Sequence, residues 1–442
     1  MGLSKKFELK NRLAEFLDPS ILKGAGTAFI IKVLGAGASF GLQVALARLL
    51  SLEDYGSYTY IMAWTGMVSG FASLGFTTSL IRFIPEYVKK EQYGKLKGVI
   101  KTSVGITLIC SLLFALIGMG IIVFVPGISN GSGYSFTSYL LAGGILIGLA
   151  FLSLFGSLEK GKKHMFMAHA PRQLFKHLLI GTGILLLWFF DGQIDVQLAL
   201  WVTFGAVLLL VSWHLLTWRK GFTAKVFISE TIYKLREWLK VSLPLLLISG
   251  FMTILNRTDV IMLGIFSTKA QVGIYNVAYK VATLTSFILI AVNAIAAPTI
   301  AELYHEGKME ELQQFARRIA HLIFWPTLVL SAGLVVLSGF ILGLFGKEFV
   351  NGKLLLIILL VGQLAHACVG SVGYYLNMTG YERESAKVYG VAALVNIVLN
   401  PLGIYFYGAV GAAVVTTLTT SMWNIWMYVL VKRKVDIKSA IV

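Results

Sequence analysis

Apolar runs of about twenty residues alternate with short polar connections along nearly the whole chain. A hydrocarbon core ~30 Å thick is crossed by a helix of about 20 mostly apolar residues. Twelve stretches meet that length, at roughly 26–50, 57–84, 102–125, 137–158, 172–190, 197–217, 241–266, 273–300, 318–343, 354–379, 386–406 and 410–431. The fifth and sixth are divided only by Asp191-Gly-Gln-Ile-Asp195. The pattern predicts an all-α polytopic membrane protein. Ahead of the first run, Phe7, Leu13, Phe16, Leu17 and Ile21 recur near helical spacing with lysines between them. That predicts a short helix on the membrane surface, and the segment lacks the apolar stretch of a signal peptide.

Composition agrees with the pattern. The chain is 57% hydrophobic and 13% charged, against about 25% charged in soluble domains, and its mean hydropathy is +0.78. The net charge of +17 would suggest nucleic acid on a soluble chain. Here its placement excludes that partner. Thirty of the 38 Lys and Arg fall at the N-terminus, the connections at 85–101, 159–176, 218–240, 301–318 and 380–387, and the C-terminal tail. Only Lys269, Lys347 and Lys353 fall in the alternate connections. Cations collect on the cytoplasmic side, so both termini are expected there and the span number is even. Cys110 and Cys368 lie in apolar runs and are expected to pack, with neither disulfide nor metal. His214 and His321 are expected at the interface. The longest outer connection, 126–136, carries no charge, and the chain has no phosphate-binding lysine loop and no hydrolase motif. An enzyme acting on the outer face, such as a polysaccharide polymerase or ligase, would need a charged external loop. No enzymatic activity and no cofactor are expected.

The two halves repeat at an offset of 216–219 residues. Gly56-Ser-Tyr58 matches Gly273-Ile-Tyr275, Glu86 matches Glu302, Lys101 matches Arg317, and Leu158-Glu-Lys-Gly161 matches Asn377-Met-Thr-Gly380. The first span then corresponds to the seventh in the same orientation. This predicts two six-helix lobes, twelve transmembrane helices in all, related by a pseudo-two-fold along the membrane normal. The expected organisation is an amphipathic segment (1–25), an N-lobe (26–217), a linker (218–240), a C-lobe (241–431) and a basic tail (432–442).

Candidate chemistry concentrates between Val241 and Lys280. Asn256, Arg257 and Asp259 sit among Met, Ile, Leu and Val, and Lys280 follows about two turns into the next run. Charge in hydrocarbon costs roughly 2.5–3.5 kcal/mol per residue on insertion scales, so such residues face a bundle interior or a wet cavity. Asp259 is the one acid inside a span. On a regular helix two residues differ by about 200° in direction, so Arg257 and Asp259 cannot both face one lumen. Lys32, Ala36, Ser39 and Gln43 form a small and polar face in the first span, with Gln43 at the repeat position of Asp259. Arg48 and Arg82 stand near span ends, where long cations reach the interface. His366 shares a face with Gln363, Gly370, Tyr374 and Asn377, readable either as lumen lining or as a packed histidine. Arg257, Lys280, Lys32, Asn256 and Arg48 are the candidate substrate-binding residues, and Asp259 is an ion-coupling or structural group.

The same stretch resembles a known family. Asp259-Val-Ile-Met-Leu-Gly264 and Val272-Gly-Ile-Tyr-Asn-Val-Ala-Tyr279 are similar to helices seven and eight of the Wzx-type polysaccharide transporters of the multidrug/oligosaccharidyl-lipid/polysaccharide (MOP) superfamily. The resemblance extends over nearly the whole chain. It implies a flippase of the bacterial cytoplasmic (inner) membrane that carries an undecaprenyl-diphosphate-linked oligosaccharide to the outer leaflet by alternating access. The cargo would be an O-antigen, capsule or exopolysaccharide unit. It also implies a monomer, alone or beside the polysaccharide polymerase machinery. The cation-lined space between the lobes would hold the diphosphate, and Asp259 would couple transport to protons or sodium. Two alternatives stay open. A MATE-like drug antiporter would hold acids for organic cations, and this chain has one membrane acid against as many as five cations. A lipid II flippase would by resemblance carry extra spans.

Overall fold

The computed structural model describes residues 19–124 and 135–441. The surface helix expected at the N-terminus falls on residues 1–18, and most of the 126–136 connection on 126–134; both lie outside the described residues. The described chain is helical throughout and contains no strand. In order, its helices are α1 (Pro19–Leu49), α2 (Leu52–Phe71), α3 (Phe76–Lys89), α4 (Tyr93–Phe124), α5 (Phe136–Gly161), α6 (Met165–Ala170), α7 (Lys176–Asp191), α8 (Val196–Thr217), α9 (Ala224–Ile228) and α10 (Leu235–Leu255). They continue with α11 (Thr258–Phe266), α12 (Lys269–Ala282), α13 (Ser286–His305), α14 (Met309–Val336), α15 (Ser338–Gly343), α16 (Lys353–Val369), α17 (Val372–Met378) and α18 (Glu382–Lys434).

Caps divide two of the apolar runs near the expected places, whereas the expected spans 57–84, 241–266, 318–343 and 354–379 are each broken into two helices, and 386–406 and 410–431 share one. Asp54 N donates to Ser51 Oγ at 3.1 Å ahead of α2, and Leu198 N donates to Asp195 Oδ1 at 2.8 Å ahead of α8. The division at 191–195 therefore stands, with Gly192 at φ 70°. Ten helices among the described residues are long and apolar enough to cross a membrane, or eleven if α2 and α3, bent by 41° at their break, make one span. The 53-residue α18 loses helical geometry at Gly408 (φ 55°, ψ −136°). Aromatic side chains face outward near such points: Tyr405 of α18 is 81% exposed just before that break, and Phe190 of α7 is 79% exposed just before Asp191. Such rings mark the ends of spans.

The chain forms two compact units. One comprises the described part of Met1–Leu42 with Ala72–Ile184 and Trp201–Leu243; the other comprises Gln43–Phe71, Leu185–Leu200 and Pro244–Val442. The core of the first packs Phe76, Leu80, Phe83 and Ile84 of α3 against Leu154, Phe155 and Trp238. Trp238 Nε1 donates to Tyr87 Oη at 2.9 Å. The 218–240 linker is held on α4, where Lys97 Nζ donates to the Phe227 and Ser229 carbonyls. His214 corrects its expected place: it is buried, stacked on Phe155 at 5.6 Å.

In the second unit the two glycines paired by the sequence repeat meet. Helix α2 crosses α12 with Gly56 against Gly273, and a methyl group on Gly56 would overlap the Lys269 carbonyl carbon at 2.6 Å. One on Gly273 would sit 3.1 Å from Tyr55 and 3.3 Å from the Leu52 carbonyl, a tight but adjustable fit. Small residues let backbones approach this closely. Gly56→Leu is expected to destabilise the protein by about 3 kcal/mol or more, because backbone rather than a side-chain tip must yield. Gly273→Ala is expected to cost much less. Thermal denaturation in detergent separates the two, and equal melting for both variants would contradict the crossing.

The C-terminal segment is docked against this unit. Lys438 N and O pair with the Gln313 amide at 2.7 and 2.9 Å, and Val435 and Ile437 are buried. Ser439 Oγ donates to the Val369 carbonyl at 3.2 Å.

Candidate functional site

Three helices of the second unit lose their regular geometry around one cavity. Between α10 and α11 the chain turns at Asn256–Arg257, with Arg257 N donating to the Ile254 carbonyl at 3.0 Å. Between α12 and α13 it tightens to a 3₁₀ turn over Thr283–Thr285. Between α16 and α17 it breaks at Gly370 (φ 70°, ψ −144°), where Ser371 Oγ donates to Asn293 Oδ1. Irregular backbone at membrane depth is tolerated where it lines a cavity. The cavity measures about 270 Å³, and Asn256, Thr283, Gly370 and Ser371 all line it. Gln363, His366 and Tyr374 line it too, so most of the face read as lumen or packing in the tenth run opens onto this space.

Asp259 turns away from the cation beside it. It is 2% exposed. Tyr275 Oη donates to its Oδ2 at 2.8 Å, and Asn400 Nδ2 donates to its Oδ1 at 3.1 Å. Asn400 Nδ2 also reaches Asn396 Oδ1 at 3.0 Å, and Asn396 Nδ2 donates to Thr419 Oγ1 at 3.2 Å. No cation lies within 4.0 Å of Asp259 among the described ion pairs, and Asn400 Oδ1 is buried with no partner. Its partners come from α12 and α18. Tyr275 enters the sequence reading only through the repeat and the family motif, and Asn396 and Asn400, one turn apart in an apolar run, are a signal it misses. Gln43, the repeat counterpart of Asp259, has a similar station: its Oε1 accepts from Tyr55 Oη at 2.8 Å and from Asn276 Nδ2 at 3.3 Å.

Arg257, Asn256 and Lys280 come together. Arg257 is half-buried, with its guanidinium over Gly66 of α2, where a methyl group would meet Nη2 at 3.8 Å. Lys280 is half-buried within electrostatic reach of Arg257. Among the described residues no carboxylate pairs with either. Asn256 Oδ1 accepts from Tyr279 Oη at 3.2 Å, and Tyr279 stacks on Tyr275 at 6.3 Å. Arg48 has a different station. Its Nε and Nη2 donate to the Leu344 and Gly343 carbonyls at 2.7 and 2.8 Å, so it closes the C-terminal end of α15.

Lys32 belongs to the first unit. Near it, Gly35 of α1 packs so closely on Gln173 that a methyl group would meet the Gln173 carbonyl carbon at 2.9 Å. Gln173 lies in a π-helical turn, Pro171–Phe175, and such turns often mark functional positions. That turn carries Arg172, and Lys160 lies within electrostatic reach of both Arg172 and Lys32. Lys160 and Arg172 entered the sequence argument only as topology markers. In the fold, Lys160 ends α5 and Arg172 lies inside a continuous helical stretch, which brings both to Lys32.

Comparison with known proteins gives this arrangement a context. A family profile described as polysaccharide biosynthesis protein matches residues 21–304, and the MatE profile matches 244–402. The "probable low-salt glycan biosynthesis flippase Agl15" of Haloferax volcanii is 26% identical over 88% of this chain and 79% of its own length. The capsular polysaccharide biosynthesis protein CapF of Staphylococcus aureus is 22% identical over 93% of this chain and all of its own. Among solved structures, an inward-facing MATE-family multidrug transporter of the MOP superfamily superposes with a TM-score of 0.74 at 14% identity, over 93% of this chain and 98% of that one. The lipid II flippase MurJ, inward closed, superposes with a TM-score of 0.71 at 14% identity, over 93% and 87%.

Proposed function

Because the chain belongs to the polysaccharide biosynthesis family, the Wzx-type branch of the MOP superfamily, we propose that it flips an undecaprenyl-diphosphate-linked oligosaccharide from the cytoplasmic to the outer leaflet. It is an integral membrane protein with the all-α MOP fold, and its relatives are named for glycan and capsule biosynthesis. The reading continues with twelve crossings. Ten apolar helices, the bent α2–α3 pair, and α18 taken as two spans across Gly408 support that number. A helix rises 1.5 Å per residue, so a regular α18 would be about 80 Å long, far more than a bilayer core. Both termini lie on the cytoplasmic side of a bacterial inner membrane, the protein works as a monomer, and the two repeat-related lobes alternate access.

One observation carries the anionic cargo. Arg257 and Lys280 stand near each other at membrane depth, and no acid among the described residues pairs with either. Like charges held together in a low dielectric repel strongly, and a diphosphate relieves that. Lys32, Lys160 and Arg172 offer a second cationic station in the first unit. Asp259 is the coupling group. No ion pair among the described residues gives its carboxylate a cation, and Asn400 Oδ1 beside it, without a hydrogen-bond partner among them, fits a hard-oxygen station for a proton donor or sodium.

Proteoliposomes test the reading. Labelled undecaprenyl-diphosphate oligosaccharide is loaded in one leaflet and scored by an external glycosidase. Time-dependent loss of protected label is expected for the wild type. Export of ethidium-like cations without movement of lipid-linked sugar would place the protein with the drug antiporters.

A further inference from the structure

The cavity of the second unit has the wrong chemistry for a diphosphate. Among its lining residues there is no Asp, Glu, Lys or Arg, and neither Arg257 nor Lys280 reaches it. Its polar groups are neutral: the Asn256 and Gln363 amides, the Thr283, Ser286 and Thr420 hydroxyls, and the His366 ring. An aromatic surface accompanies them. His366 packs edge-on to Trp423 at 5.1 Å, and Tyr389 lies against the same indole at 5.2 Å.

Three classes of occupant can be weighed against that lining. An anion would leave cations for neutral walls. An acyl chain or apolar drug would strip water from the amides without replacing its hydrogen bonds, at about 1–3 kcal/mol for each group left unpaired. A polyhydroxylated ring satisfies both features, its hydroxyls bonding amides and its C–H face lying on an indole. Gln363 and His366 are poised for this role, since no hydrogen bond to either side chain is recorded among the described residues while both border the cavity. Size agrees with this class. A space of about 270 Å³ is ample for one sugar ring.

We propose that this cavity is the subsite for a single neutral sugar residue of the cargo, and that Gln363, His366 and Trp423 set which sugar is accepted. The proposal rests on the flippase reading. It divides the cargo between Arg257 and Lys280, which take charge, and the uncharged cavity, which takes the ring.

The test uses full-length protein with two readouts. In proteoliposomes, undecaprenyl-diphosphate monosaccharides with gluco, galacto and N-acetyl rings are compared. Wild type is expected to discriminate among them by tenfold or more, and Gln363→Ala and Trp423→Ala to compress that ratio to about twofold. A merely structural cavity would lower every cargo by the same factor, and an unchanged ratio overturns the proposal. In the second readout, methyl glycosides of the same rings are titrated in a thermal-shift assay in nanodiscs. Stabilisation by one glycoside, lost in Gln363→Ala, supports the subsite even if no lipid-linked cargo moves, in which case only the flippase reading fails. Stabilisation by no glycoside, together with no discrimination in transport, overturns the subsite.

Discussion

Flipping of lipid-diphosphate cargo is expected to fall about 10- to 150-fold in Arg257→Ala, and further when Lys280→Ala is added, with no loss of folded protein. A hydrogen bond to a charged group is worth roughly 1.5–3 kcal/mol, which sets that range. The second half of the expectation is the more diagnostic. Removing a buried charge from an ion pair destabilises by leaving its partner exposed to low dielectric. Here the neighbour of Arg257 is another cation, and no carboxylate is paired with either among the described residues. Deleting one therefore relieves repulsion. The variant is expected to melt no lower than wild type while transport collapses. Arg257→Lys keeps the charge, loses the fork of donors, and is expected to lie between the two. If Arg257→Ala melts lower and transport falls only in proportion to folded protein, the guanidinium over Gly66 is a packing element.

That separation of charge from cavity was only half legible in the sequence. Spans follow from apolar length alone, so the runs were plain. Arg257 and Lys280 stood out because charge is rare there. The breaks were harder. Asn256–Arg257 contains neither Gly nor Pro, and its turn lies against Tyr279 and Gly66, contacts that the local sequence does not announce. Without that break the 200° argument separates Arg257 from Asp259 but cannot say that Asn256 lines a cavity. The tenth-run face of Gln363, His366, Gly370 and Tyr374 was visible by helical spacing, but spacing does not distinguish a wet wall from a packed one. Lys160 and Arg172 were misleading for another reason. Counting charge by connection assigns each lysine to a loop, whereas α5 runs through Lys160 and the Met165–Asp191 helix through Arg172. Arg48 looked like the other membrane cations, and only the carbonyls of Gly343 and Leu344, almost 300 residues away, give it a different duty.

Asp259→Asn is expected to leave the fold intact and to abolish the response of transport to an ion gradient. An isolated carboxylate out of water is among the most costly groups a protein can hold, and it is retained where its charge is neutralised on demand. Asp259 is held by neutral groups, Tyr275 Oη and Asn400 Nδ2 with Thr416 and Asn396 beside them, and no ion pair among the described residues brings it a cation. On the coupling reading, a proton or a small ion would balance the charge there, and its occupancy would alter how α11, α12 and α18 hold together. Asparagine keeps the shape and can accept from Tyr275, but it cannot change charge. Gradient-driven flipping is therefore expected to drop at least tenfold to the rate seen without a gradient, with near-normal melting. Asp259→Leu is a harsher change. It strands an Asn400 amide hydrogen, at about 1–3 kcal/mol, and leaves Tyr275 Oη only the long bond to Thr416 Oγ1 at 3.4 Å, so its melting temperature is expected to fall. Proteoliposomes with imposed pH or sodium gradients decide the matter. If Asp259→Asn follows the gradient as wild type does, the carboxylate only ties α11 to α18. If it loses one gradient and keeps the other, the retained ion is excluded and the lost one identified.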